Sequence, residues 1–240
     1  LATTRFAKYW YRALTGTNSS AADYHEINVV GVYNPPGTND PDVVTTSAGH
    51  VFLAKTPEAF TYDDDGNLLS DGRFTYTWDA ENRLIAAQTL TNLPASVPRK
   101  KVEFTYDYMS RRVGKTVSAW STNSESWILT SDSSFLYDSW NVLSEICDNQ
   151  SEIATNWWVH GLDLSGSLSG AGGIGGLLAA RYGTNDVVFS YDANGNVSEL
   201  TSTNGAIAAH YEYSPFGETV VATGPLAFVN PFRFSTKYFV

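Results

Sequence analysis

The sequence predicts an all-β fold of chained antiparallel hairpins, and three observations carry that expectation. Aromatic residues make up 14% of the 240 residues while charged residues reach only 17%. That balance excludes disorder, which is poor in rings and rich in charge. A short pattern, aromatic-x-aromatic-Asp with Gly or Asn three residues further on, recurs six times from Phe60 onward. Amphipathic runs of helical period are scarce, whereas turn residues punctuate the whole chain.

Residues 1–59 read as degenerate β repeats. Tyr9-Trp10-Tyr11 and His25 to Tyr33 have strand composition, Asn34 to Asp42 reads as a surface loop, and Val51-Phe52-Leu53 leads into the first clear unit. From residue 60 the repeat is explicit: FTYDDDGNLL, YTWDAENRLI, FTYDYMSRRV, FLYDSWNVL, FSYDANGNV and YEYSPFGETV. Its first position holds Phe60, Tyr76, Phe104, Phe135, Phe189 and Tyr211. Two residues later stand Tyr62, Trp78, Tyr106, Tyr137, Tyr191 and Tyr213. Asp63, Asp79, Asp107, Asp138 and Asp192 follow, with Ser214 in the sixth copy. Three further on come Gly66, Asn82, Asn141, Gly195 and Gly217, with Ser110 as the exception.

Each position has a physical reason. Rings at i and i+2 of a strand share one face, so the mostly polar residue between them faces water. Asp ends the strand by accepting backbone N–H bonds of the turn that follows. Gly or Asn then supplies a left-handed backbone at little steric cost. Apolar residues restart the chain as a return strand: Leu68-Leu69, Leu84-Ile85, Val142-Leu143 and Val197. The unit is a β-hairpin, and chained hairpins form one sheet that twists and curves. The second aromatics are spaced 16, 28, 31, 54 and 22 residues apart, too irregular for a strict propeller or helical solenoid.

Between the copies, Leu90 to Lys101 reads as a proline-broken loop and Ser118 to Ser134 as a polar hairpin around Trp120 and Trp127. Organisation along the chain follows: repeats over 60–146, a glycine-rich connecting segment over 147–188, and the last repeats over 189–240. Within the connection, Gly170 to Gly175 formally matches GxGxxG. No apolar strand precedes it and no crossover helix follows, so it reads as a tightly packed loop without a dinucleotide.

Chemistry is sparse. A net charge of −10 repels phosphate and argues against nucleic acid and anionic lipid. The one cysteine, Cys147, excludes an internal disulfide and a thiolate zinc site. His25, His50, His160 and His210 lie too far apart to suggest a metal, and each reads as a surface or hydrogen-bonded core histidine. Asp63-Asp64-Asp65-Gly66 lacks the glutamate that would complete a calcium loop. Acids and aromatics abound as in glycosidases, but the aspartates recur in register with the turns, which marks architecture. No cofactor, metal or catalytic residue is expected, and no apolar run reaches the ~18 residues of a membrane span.

The repeats FTYDDDGNLL, FTYDYMSRRVGK and FSYDANGNV resemble the YD (tyrosine–aspartate) repeats of Rhs proteins, relatives of Tc-toxin C components and teneurins. GLDLSGSLSGAGGIGGLL and YEYSPFGETV with NPFRFSTKYFV are similar to the stretch entering the Rhs-associated core. The resemblance covers residues 60–240. It implies a β strip spiralling into a hollow shell around a C-terminal toxin or effector of the same parent chain, in a secreted or surface-delivered bacterial protein. The chain then reads as a fragment of the shell. Its partners are that polypeptide and neighbouring YD repeats, and the family's self-cleaving aspartyl protease site would lie beyond Val240. The alternative is a cell-surface adhesion module whose exposed rings bind glycan.

Overall fold

The computed structural model describes residues 2–6, 9–37 and 41–239. The described residues form strands, turns and one short 3-10 turn, Phe234–Thr236, with no α-helix. The chain divides into two compact units, one of residues 1–102 with 119–127, the other of 103–118 with 128–240.

The first unit opens with two ribbons: β1 (Thr4–Phe6) with β2 (Tyr9–Tyr11), and β3 (Asp23–Tyr33) with β4 (Val43–Leu53). They are β as expected, but β3 and β4 pair through eleven residues without the repeat's turn. Residues 38–40 of the expected surface loop lie outside the described residues. The repeats begin with β5 (Thr61–Tyr62), β6 (Leu68–Ser70), β7 (Phe74–Trp78) and β8 (Leu84–Thr89). β9 (Lys100–Tyr106), β10 (Arg112–Ser121) and β11 (Ser126–Asp138) follow, with Trp120 edge-on to Trp127 at 5.4 Å in the polar hairpin. Leu93 and Val97 anchor the proline-broken loop by burial.

The second unit continues with β12 (Asn141–Asp148), β13 (Ile153–His160), β14 (Leu177–Tyr182), β15 (Asn185–Tyr191), β16 (Val197–Ser202), β17 (Ile207–Tyr213) and β18 (Thr219–Thr223). Strands β5 to β18 make one fourteen-stranded sheet in unbroken sequence order, the topology expected of chained hairpins. The segment 147–188 is more than a connection. It carries β13, β14 and the first residues of β15, and the glycine-rich loop is confined to 161–176.

Burial alternates as the aromatic-x-aromatic spacing requires. In β15, Val187 is buried, Phe189 and Tyr191 are half-buried, and Val188 and Ser190 between them are exposed. The core of the second unit lies on this ring-bearing face. Residues 224–239 fold over it, burying Leu226, Ala227, Asn230 and Phe232 against Trp158, Tyr182 and Tyr211. Phe60 and Tyr62 depart from the pattern: both are exposed, at and beside β5, a two-residue strand on the edge of the sheet.

Candidate functional site

The repeat unit is the candidate site, and two hydrogen-bonded devices define it. The first is the turn. The Asp63 Oδ1 accepts N–H bonds from Asp65 (3.1 Å) and Asn67 (2.7 Å), and its Oδ2 accepts the Asn67 amide at 3.0 Å. The same bonds recur at Asp79 from Glu81 (2.9 Å) and Arg83 (3.0 Å), and at Asp107 from Met109 (2.9 Å) and Arg111 (3.0 Å). Asp192 accepts from Asn194 (2.9 Å) and Asn196 (3.0 Å).

The third residue after Asp63, Asp79, Asp107, Asp192 and Ser214 is left-handed: Gly66 at φ 85°, Asn82 at 58°, Ser110 at 61°, Gly195 at 74° and Gly217 at 87°. Ser110, the exception in sequence, obeys the conformation. The Ser214 hydroxyl oxygen accepts a single bond, from the Glu218 N–H at 3.2 Å, a weaker version of the same turn.

Asp138 and Asn141 depart from this scheme. They face each other across a two-residue loop in which Ser139 takes the left-handed φ of 52°. Asn141 is not left-handed, and the Asp138 carboxylate accepts no turn N–H among the described residues. The reason is length: FLYDSWNVL reaches its return strand sooner than FTYDDDGNLL, so no loop remains for a carboxylate to organise.

The second device is a latch from the second aromatic to the first residues of the preceding strand, made in at least four of the six copies. Trp78 Nε1 donates to the Leu68 carbonyl (2.8 Å), Tyr137 to Arg112 (2.9 Å) and Tyr213 to Val197 (2.8 Å). The Tyr191 hydroxyl donates to the Leu177 carbonyl in the same way. A pairing irregularity falls immediately before the ring in the hairpins of Tyr62, Trp78, Tyr137, Tyr191 and Tyr213. A bulge at that place re-aims the side chain. Tyr106 holds the equivalent position in β9, and Tyr76 bonds elsewhere, to Asp71 Oδ2 at 2.7 Å.

A further copy lies hidden in the glycine-rich segment. His160 Nε2 donates to the Val142 carbonyl at 2.8 Å, with the pairing shift just before it, between Val159 and His160. Asp163 builds the turn: its oxygens accept from Ser165 N (2.9 Å), Ser165 Oγ (2.6 Å), Ala171 N (2.7 Å) and Gly173 N (3.1 Å). Gly166, three residues on, has φ 75°. Sequence reasoning missed this copy because His replaces Tyr and two residues separate His160 from Asp163. The signals were Asp163 with Gly166, and the 54-residue gap they divide. The GxGxxG glycines lie in this loop, with Gly173 donating to Asp163.

Electrostatics follow the donors. The Ser165 hydroxyl and the backbone N–H groups of Ser165, Ala171 and Gly173 hold the Asp163 carboxyl down at about 2. Asn67 lowers Asp63, and Arg83 lowers Asp79. For Asp107 and Asp192 burial opposes ionisation, and the donors of Arg111 and Asn196 outweigh it. Burial pushes the hydroxyls of Tyr137, Tyr191, Tyr211 and Tyr213 upward, so they stay protonated donors.

Over the ring face, Asn230 ties the last segment down. Its Nδ2 donates to the Tyr211 hydroxyl (3.2 Å) and the Phe232 carbonyl (2.6 Å). Its Oδ1 accepts the Tyr182 hydroxyl (2.7 Å) and the Phe232 N–H (3.1 Å). Phe232 meets Trp158 edge-on at 5.3 Å, and Phe234 meets Tyr213 at 5.6 Å. No group of three or more His, Cys, Asp or Glu able to hold a metal occurs among the described residues.

Among curated proteins, the chain is 31% identical over 163 residues to the tRNA3(Ser)-specific nuclease WapA of Bacillus spizizenii, covering 67% of this chain and 6% of that protein. It is equally similar, over the same length, to the tRNA nuclease WapA of Bacillus subtilis strain 168. The chain thus spans about 6% of the length of these relatives. Among solved structures, TcdB2-TccC3 matches with a TM-score of 0.48 at 11% identity, over 90% of this chain and 13% of that one. TcdB2-TccC3 without its hypervariable C-terminal region gives a TM-score of 0.49 at 12% identity, over 90% and 13%. No protein-family profile matches the chain.

Proposed function

Because the chain belongs to the Rhs-type YD-repeat proteins, we propose that it is a wall segment of a shell enclosing a C-terminal toxin or effector polypeptide of its own parent chain. One observation carries the reading: the donor-tipped ring of one hairpin bonds the backbone of the preceding one, copy after copy. Such a latch lets a sheet grow by whole hairpins while one face stays lined with rings. On this reading the mechanism is containment, and these residues perform no catalysis. The matched WapA proteins are named as tRNA nucleases, so a nuclease is one passenger the parent would carry. The parent would be secreted or displayed at the cell surface.

The test is intact-mass analysis and limited proteolysis of the full-length parent purified from its host. A C-terminal piece that is cut from the wall, stays associated and resists protease supports containment. A parent whose C-terminal region is digested as fast as a free peptide overturns it.

A second reading, glycan binding at the cell surface, is favoured by one feature of the outer face. Half-exposed Trp157 lies directly across from Arg181, which holds Asp186 by bonds of 2.6 and 2.7 Å. A flat ring beside a fixed polar pair suits a pyranose. Quenching of Trp fluorescence by gluco-oligosaccharides, lost in Trp157→Ala, would support it. Identical spectra with and without sugar would remove it.

A further inference from the structure

In the second unit, a cleft of about 200 Å³ opens between the short Asp138–Asn141 turn and the glycine-rich loop. Arg112, Tyr137, Trp140, His160, Lys237 and Tyr238 are among the residues lining it, and no acidic residue is. In a chain of net charge −10, an acid-free cleft bearing two permanent cations is out of character.

The Arg112 guanidinium carries the argument. Its Cζ lies 5.4, 5.2 and 4.9 Å from the ring centroids of Phe104, Phe135 and Tyr238. Among the described residues it has no carboxylate partner and no side-chain hydrogen bond, and its buried Nε is orphaned. A half-buried guanidinium without an acceptor is costly, and ring faces offset only part of its charge. The nearby Glu145 accepts the Tyr238 hydroxyl at 3.0 Å and acts on Lys115. Lys237 spends its ammonium on the Gly172 carbonyl at 2.7 Å. The His160 Nδ1 is a second buried atom without a partner on the same cleft.

We propose that this cleft binds a carboxylate carried on a small aromatic or apolar body. The planar fork of Arg112 takes the carboxylate, Lys237 adds charge at the rim, and Tyr137, Trp140 and Tyr238 hold the body. The volume admits one group of amino-acid size. The carboxylate belongs either to a free small acid or to an acidic side chain of a polypeptide laid along the turn edge.

The experiment is calorimetric titration of the chain with N-acetylphenylalanine, its uncharged amide, and N-acetylaspartyl-phenylalaninamide. At least one acid should bind with a Kd of about 1 mM or tighter, as expected for a ligand of this size, and the amide at least ~10-fold more weakly. Stronger binding of the terminal carboxylate indicates a free acid, and of the side-chain carboxylate a polypeptide. Arg112→Gln should remove the preference for acid over amide. Since Arg112 packs on three rings, Lys237→Gln at an exposed position gives a second reading that leaves the ring packing in place, and it should weaken the acid severalfold while changing the amide less. Equal binding of acid and amide, or binding of neither acid, overturns the proposal.

Discussion

The Tyr213 hydroxyl donates to the Val197 carbonyl at 2.8 Å, joining the end of one strand to the start of the strand before it. Val197 is fully buried, so its carbonyl has no water to turn to when the hydroxyl is removed. Tyr213→Phe should therefore lower stability by about 1–2 kcal/mol, the cost of a buried acceptor left unmade. Tyr62→Phe, on the exposed edge strand, should change it by less than ~0.5 kcal/mol. Urea denaturation of both variants checks the contrast, and equal losses would mean that the ring alone matters.

Two turn glycines with similar φ should respond differently to valine. At Gly66 a Cβ would meet nothing within 4 Å, so the cost is left-handed strain alone, about 1–2 kcal/mol. At Gly195 a Cβ would sit 2.5 Å from Ile174 Cγ2 and 3.3 Å from the Gly175 nitrogen. Overpacking adds roughly 1–3 kcal/mol there. Thermal melts should rank Gly195→Val well below Gly66→Val.

Acid should unfold the protein in two steps. Burial of His160 favours its neutral form and lowers its pKa from the ordinary 6.5, so its contribution is complete above that value and declines as pH falls below it. The Asp163 carboxyl, held at about 2 against an ordinary 3.8, stabilises the fold above the ordinary value and loses that contribution as pH falls toward 2. Asp63, Asp79, Asp107 and Asp192 act in the same direction. Denaturation midpoints measured from pH 8 to pH 2 should show the second loss between about pH 4 and pH 2, reduced in Asp163→Asn.

Asn230→Ala should release the last segment from the ring face. It strands the Tyr182 hydroxyl proton and two backbone groups of Phe232, while the Tyr211 hydroxyl keeps the Ala227 carbonyl, a loss of about 2–3 kcal/mol. Protease should then cut within 224–239 at concentrations that leave the parent sequence whole.

Much of this was legible in the sequence because the repeat spells its own geometry. Phe189, Tyr191, Asp192 and Gly195 each do what their spacing requires. The latch was visible in outline: the second position holds Tyr or Trp and never Phe in all six copies that the spelling shows, while the first position is free to be Phe. A requirement for a polar tip accounts for that difference at Trp78, Tyr137, Tyr191 and Tyr213, which make the bond. The Asp138 turn was misread because a missing residue changes conformation without changing the letters that flank it. The His160 copy was missed because matching looked for tyrosine, whereas the fold needs an N–H or O–H at a given reach. Residues 1–59 gave strands but no repeat, since β3 and β4 pair without the Asp turn.

That His160 fills a tyrosine's place has an evolutionary consequence. A tyrosine codon lies one base from both phenylalanine and histidine. Phenylalanine keeps the ring and loses the proton that holds the next carbonyl; histidine keeps both, in a smaller ring. Drift along such an array is therefore channelled, with a single-base path open toward His and closed toward Phe. Copies can diverge beyond recognition by spelling while the wall they build stays the same.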